Sequence, residues 1–164
     1  PSLIDVVVLL SIIPNADCVV KAHLFSNPFI RGVIKNAGYI SNADPEALLD
    51  ACKSSLEQGN NLIIFPEGTR TVPGKELVFQ RGAANIALRC QMPITTVLIN
   101  VTPSTLTKAE SWYQIPSEKA KFMLQLTRNV PLFTIAVATP MSKQVRHYCR
   151  ELESYFIQEV RSHE

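Results

Sequence analysis

The chain has 164 residues, 46% hydrophobic and 18% charged, with 16 basic against 14 acidic side chains and a net charge of +2. A chain of this length buries roughly 70% of the surface its unfolded form exposes, so it needs no metal or disulfide to hold a core. The apolar content excludes intrinsic disorder, and the scatter of 6 Gly and 11 Pro excludes collagen-like and low-complexity classes. So even a charge balance leaves no global footprint for nucleic acid.

Leu3 to Ile13 reads as a buried helix with Ser2 as N-cap, broken by Pro14-Asn15-Ala16-Asp17. Cys18 to Lys21 reads as a short strand. Ser26 to Lys35 reads as a helix with Pro28 in its first turn, and Gly38-Tyr39-Ile40 as a brief strand. Asp44 to Gly59 is the best-marked helix. Asp44 can cap it, Pro45 suits its first position, Glu46 suits the positive end of the dipole, and Gly59 closes it. Leu48, Leu49, Cys52 and Leu56 form its apolar stripe.

Leu62-Ile63-Ile64-Phe65 is a continuous apolar run of the kind buried on both faces of a parallel sheet. A loop from Pro66 to Val78 precedes a helix at Arg81 to Cys90, and Pro93 to Val101 is strand again. Thr102 to Ser117 is irregular apart from Trp112 and Tyr113, which with Leu106 and Ile115 read as a core edge or a membrane-interface contact. Alternation at Phe122, Leu124 and Leu126 predicts a half-buried strand, and Leu132 to Ala138 another. The last helix carries Val145, Cys149, Leu152, Phe156 and Val160 at helical spacing.

Strands alternating with helices of ten to fifteen residues predict a single α/β domain. Its sheet is largely parallel and flanked by helices, with an antiparallel addition near residues 122–126. The four cysteines stand at 18, 52, 90 and 149, too far apart for a Cys-x-x-Cys unit, and each lies in an apolar stretch. They are expected to be reduced, as in a cytosolic protein. The sequon Asn100-Val101-Thr102 lies in an apolar run and reads as buried strand. No run approaches the ~20 apolar residues of a membrane-spanning helix. The chain opens on Pro1 rather than Met, which predicts a processed or truncated product with any anchor upstream.

Ligands of open α/β sheets bind beyond the carboxyl ends of the strands. The sharpest such place is Phe65-Pro66-Glu67-Gly68-Thr69-Arg70. Gly68 permits close backbone approach or a positive φ, Thr69 offers a hydroxyl, and Arg70 a planar fork matched to phosphate oxygens. Glu67 can orient Arg70 or a backbone group. On spacing alone the same residues also read as a strand-to-helix turn carrying a surface ion pair.

At this hexapeptide the sequence resembles the glycerolipid acyltransferases, of which the lysophosphatidate acyltransferases are the best known. Their first block is Asn-His-x-x-x-x-Asp, and Pro1 to Asp5 is similar to its tail. Lys21-Ala22-His23-Leu24-Phe25, Pro28-Phe29 and Gly38-Tyr39-Ile40 resemble the second block, Phe65 to Arg70 the third, and Met92-Pro93-Ile94 the fourth. Arg81-Gly82-Ala83-Ala84 is similar to the family's stretch before the fourth block. The resemblance covers residues 1 to about 101 in order.

It implies acyl transfer from a thioester, acyl-CoA or acyl-carrier protein, to a hydroxyl of a lysolipid at the cytoplasmic face of a membrane, reached peripherally or through an anchor outside this chain. The general-base histidine would stand immediately before Pro1, and Asp5 would orient it. Arg70 would hold the acceptor phosphate with Lys21 as a second cation, and Glu67, Gly68 and Thr69 would complete substrate binding, on one cleft at the strand ends. Two departures stand out. None of His23, His147 and His163 is followed by Asp five residues on, and Ser41-Asn42-Ala43-Asp44 lacks the cation many members carry there.

No Gly-x-Ser-x-Gly elbow points to an acyl-enzyme, and no ligand spacing points to a metal or cofactor. A binding module of the same fold, holding lysolipid or carrier without turnover, is the alternative class. A nucleotide enzyme is disfavoured, because neither Gly-x-x-x-x-Gly-Lys nor Gly-x-Gly-x-x-Gly occurs.

Overall fold

A computed structural model describes residues 2–22, 39–69, 76–105, 107, 110, 114, 116–130 and 139–162. The expected helix at Ser26 to Lys35, the expected strand at Leu132 to Ala138, and Trp112 and Tyr113 lie outside them. The chain forms two compact units, Leu3–Phe65 and Pro66–Glu164 with Pro1–Ser2.

In the first unit, helix α1 (Leu3–Ile12) leads into strand β1 (Ala16–Val20), followed by β2 (Tyr39–Ser41), helix α2 (Pro45–Glu57) and β3 (Asn61–Ile63). The strands are parallel in the order β2-β1-β3. Parallel pairing here follows from helical and longer connections, since two-residue hairpins join only antiparallel neighbours. β3 pairs the first half of β1 (Ala16 with Asn61, Cys18 with Ile63), and β2 the second half (Cys18 with Tyr39, Val20 with Ser41). Cys18 is therefore flanked on both sides and is fully buried.

Three expectations change in this unit. The helix expected to be buried leaves Val7 and Ile12 more than half exposed. Its apolar residues run all round the axis, while burial follows the i, i+4 pair Asp5 and Leu9. The strand expected at Leu62 to Phe65 is three residues long, borders the described sheet, and buries only Ile63. Its ladder covers only Ala16 to Cys18 on one edge of β1, while β2 pairs Cys18 to Val20 on the opposite edge. On α2 the buried residues are Cys52 and Ser55, with Leu48, Leu49 and Leu56 half-buried. Ser55, a polar residue that an apolar count leaves out, is buried with its hydroxyl donating to Asp17 Oδ2 at 2.5 Å, where Asn60 Nδ2 also donates at 3.2 Å. A buried polar group is tolerated when so partnered.

The ends of α2 form as read. Asp44 Oδ1 accepts from the amides of Glu46 (2.9 Å) and Ala47 (3.4 Å), Pro45 occupies the first turn, and Gly59 takes φ +82° just past the end.

The second unit holds helix α3 (Arg81–Cys90), the antiparallel pair β4 (Ile94–Thr102) and β5 (Lys121–Val130), and helix α4 (Met141–Ser162). Antiparallel pairing does occur at residues 122–126, but β5 pairs with β4 in a two-stranded sheet of its own rather than as an addition to the parallel sheet, and the expected partner at Leu132 to Ala138 lies outside the described residues. An extra residue on β5 between Thr127 and Val130 shifts the register, as in a β-bulge. The sequon lies in β4 as expected, but Asn100 and Thr102 are exposed rather than buried, because they alternate with half-buried Val101. Phe79, Ala84, Val145, Tyr148, Cys149 and Leu152 form the core between α3 and α4, and Phe156 sets its ring edge-to-face on Phe79 at 5.3 Å.

The four cysteines are free, and three are buried. Burial pushes the Cys18 thiol up to about 12 from 9.0, and burial with nearby Glu153 raises Cys149 against the pull of Arg81. Thiolate is the reactive form. At pH 8 Cys18 then holds roughly a thousandfold less thiolate than an ordinary thiol. Iodoacetamide labelling of the native protein, read by peptide mass spectrometry, is expected to mark half-buried Cys90 first and leave Cys18 for the unfolded chain. The sign for stability follows. The folded state keeps the Cys18 proton that the unfolded chain releases, so this contribution is intact below pH 9 and is lost as pH climbs towards 12.

Candidate active site

Asp5 sits in the first turn of α1, where the positive end of the helix dipole favours a carboxylate. It is 8% exposed, the one buried charged side chain among the described residues. Lys21 follows the last residue of β1 and is exposed. Asn42 fixes the chain on both sides of it. The Asn42 amide donates to Val20 O at 3.1 Å, and Asn42 Oδ1 accepts from the Ala22 amide at 3.0 Å. The stretch noted in the sequence for its missing cation thus supplies a clamp. Lys21 is held at the carboxyl end of two parallel strands, the usual ligand side of such sheets.

The hexapeptide straddles the boundary between the two units, Phe65 closing the first and Pro66 opening the second. Pro66 to Thr69 form a turn in which Glu67 and Gly68 are half-buried and Thr69 is exposed. Gly68 takes φ +63°, the left-handed conformation its lack of a Cβ permits. The Gln80 amide donates to Pro66 O at 2.7 Å, closing the loop back on the turn. A Cβ at Gly68 would stand 3.1 Å from Gln80 Cγ, so the residue is held to glycine by conformation and by space. Arg70 lies outside the described residues, as do Lys75, His23 and His163. His147 is exposed on α4, and Glu76 and Arg81 are exposed.

Asp5 and Lys21 therefore belong to the first unit and Glu67, Gly68 and Thr69 to the second. Sequence reasoning missed Asn42, which clamps through its amide and its side-chain Oδ1, and Gln80, which clamps through its amide; both partners lie at long sequence separation and leave no local signature.

A parallel α/β sheet with a glycine-turned polar loop after its strand β3 defines the class: a fold that binds at its strand ends. The acyltransferase family model matches residues 1–100, and the chain belongs to that family. It is 38% identical over 107 residues to a 1-acyl-sn-glycerol-3-phosphate acyltransferase of Helicobacter pylori, covering 60% of this chain and 45% of the relative. It is 30% identical over 108 residues to the enzyme of that name from Cocos nucifera, covering 62% of this chain and 35% of the relative. The chain thus spans less than half the length of these relatives. The crystal structure of the 1-acyl-sn-glycerophosphate (LPA) acyltransferase PlsC from Thermotoga maritima matches with a TM-score of 0.57 at 20% identity. That match covers 98% of this chain and 63% of the other, a likeness of fold.

Proposed function

We propose that this chain is part of the catalytic domain of an O-acyltransferase that moves an acyl group from a thioester to the hydroxyl of a lysophospholipid. The observation that carries the reading is the Phe65–Arg70 hexapeptide in a chain of the acyltransferase family, turned on Gly68 at positive φ. In this reading a histidine one position ahead of Pro1 takes the acceptor proton. The freed oxygen attacks the thioester carbonyl, and the thiolate leaves with that proton. Asp5 orients the imidazole and stabilises its charged form, a base-and-orienter division of labour. Amides at Gly68 and Thr69 are suited to an oxyanion or phosphate. Arg70 holds the acceptor phosphate, supported by Lys21 as a cation and Glu67 as an orienting carboxylate.

The donor is acyl-CoA or acyl-carrier protein, and the chemistry asks for no metal or cofactor. Lysolipid acceptors reside in bilayers, which sets the working place at a membrane surface on the cytoplasmic face. Among the described residues no helix is long and apolar enough to cross a membrane.

The test is an assay of the full-length protein with acyl-CoA and acyl-carrier thioesters against lysolipids with and without a phosphate. Arg70→Lys is expected to raise the acceptor KM well above any change in thioester KM, since lysine replaces a bidentate fork with a point charge. A phosphate-free acceptor is expected to ignore the change. Unchanged acceptor kinetics with an unchanged melting curve would remove Arg70 from the site. Lysolipid binding without turnover by the full-length protein would favour the silent binding module instead.

A further inference from the structure

The second unit carries a cleft of about 300 Å³ lined by Phe79, Arg81, Arg146, Cys149, Arg150 and Glu153. We infer that this cleft, walled by Arg81, Arg146 and Arg150, is a binding site for a phosphomonoester, a second anion site that the acyl-transfer reading does not use. The backbone sets it apart from the hexapeptide. Gln80 is extended (φ −86°, ψ 141°), so neighbours on either side of it project away from its own side chain. Gln80 turns to Gly68, while Phe79 and Arg81 line the cleft.

The floor is built and closed. Phe79 and Cys149 are buried, the Cys149 thiol donates to Phe79 O at 3.6 Å, and the Phe79 amide donates to Glu153 Oε2 at 2.7 Å. The one lining carboxylate is therefore turned to the backbone. Among the described residues, none of the three guanidiniums makes a hydrogen bond or ion pair, and all three side chains are exposed. Arg146 and Arg150 stand one helical turn apart on α4, a like-charge pair that weakens a helix rather than supporting it. Arg81 opens α3, whose N-cap Gln80 makes no side-chain capping bond, so the positive end of that dipole adds to the same field.

Charge selects the ligand class. Three guanidiniums against one carboxylate leave the cleft at +2. A phosphomonoester carries about −1.5 to −2 at neutral pH, and its three oxygens suit planar forks. A carboxylate, or a phosphodiester with its single charge, leaves the cleft unbalanced. The volume lies at the small end of ligand sites, room for a phosphate and the group next to it. Such a phosphate comes either from a soluble ligand or from the head group of a monoester lipid.

The experiment is equilibrium binding by the full chain at low salt in two arms, neither of which needs turnover. One arm titrates adenosine 3′,5′-bisphosphate as a soluble phosphomonoester. The other sediments the protein with phosphatidylcholine vesicles carrying phosphatidate, with phosphatidylglycerol vesicles as the diester control. Arg146→Gln with Arg150→Gln is expected to weaken binding about ten- to a hundredfold in the arm that holds the ligand. Exposed positions of this kind should leave the melting curve within a few degrees, and Arg81→Gln should act in the same direction. The inference is overturned if the unaltered chain binds neither probe, if the double variant binds as well as the unaltered chain, or if phosphatidylglycerol serves as well as phosphatidate. Failure of acyl transfer leaves these outcomes unaffected.

Discussion

If the proposed acyl transfer holds, Asp5→Asn in the full-length protein is expected to lower kcat about 10²–10⁴-fold while leaving the thioester KM close to unchanged. The amide is nearly isosteric but cannot stabilise an imidazolium, and it can hold the ring in the wrong tautomer. The contrasting explanation is structural: a buried carboxylate near a helix start interacts with the dipole, worth about 0.3–1 kcal/mol at most exposed sites and up to ~2 kcal/mol when partly buried. Asp5 is buried in just that position, so a melting curve must accompany the kinetics. A fall in kcat at temperatures where the variant is fully folded assigns Asp5 to the chemistry. A fall in melting temperature with normal kcat below it assigns Asp5 to the fold and removes it from the mechanism.

The second large effect is on stability. Tyr148 is fully buried at the centre of the α3–α4 core, the largest side chain so enclosed among the described residues. Tyr148→Ala is expected to cost about 3–5 kcal/mol, the range for removing a buried aromatic ring. Part of that is lost transfer free energy and part the cavity left beside Phe79, Val145 and Leu152, which α3 and α4 cannot fully close. Denaturation in urea should show a lower midpoint with a similar slope. Tyr148→Phe keeps the ring and should retain most of the stability. A loss below about 1 kcal/mol for the alanine variant would mean that the core between the two helices is not what holds the second unit together.

Much of this was legible in the sequence, for identifiable reasons. The ends of α2 follow from Asp44, Pro45 and Gly59, because capping is a contact over two or three residues. The spacing of Val145, Cys149 and Leu152 predicts the packed face of α4, although Tyr148 escapes an apolar count since its ring is hydrophobic and its hydroxyl polar. Gly68 permits either close backbone approach or a positive φ, and it takes φ +63°, a region that glycine enters without strain. The ordered blocks also pointed to the family that the comparisons then showed.

What the sequence could not decide was set by pairing over long separations. The extent of a strand depends on its partner, and β3 pairs only the first half of β1, so three residues from Asn61 are paired. Ser55 is buried because Asp17, thirty-eight residues earlier, receives its hydroxyl. Asn42 clamps the chain around Lys21 through its amide and its side-chain Oδ1, and Gln80 locks the hexapeptide turn through its backbone amide, each with a partner far away in sequence. The arginine cleft arises the same way: Arg146 and Arg150 share a helix face by spacing, but only the packing of α3 on α4 brings Arg81 to them. Local interactions are written in neighbouring residues, and so the sequence alone determined the ends of α2, the backbone freedom at Gly68 and the ordered blocks of the family. Register, burial of polar groups and the meeting of distant charges depend on which surfaces pack, and those only the tertiary structure decided.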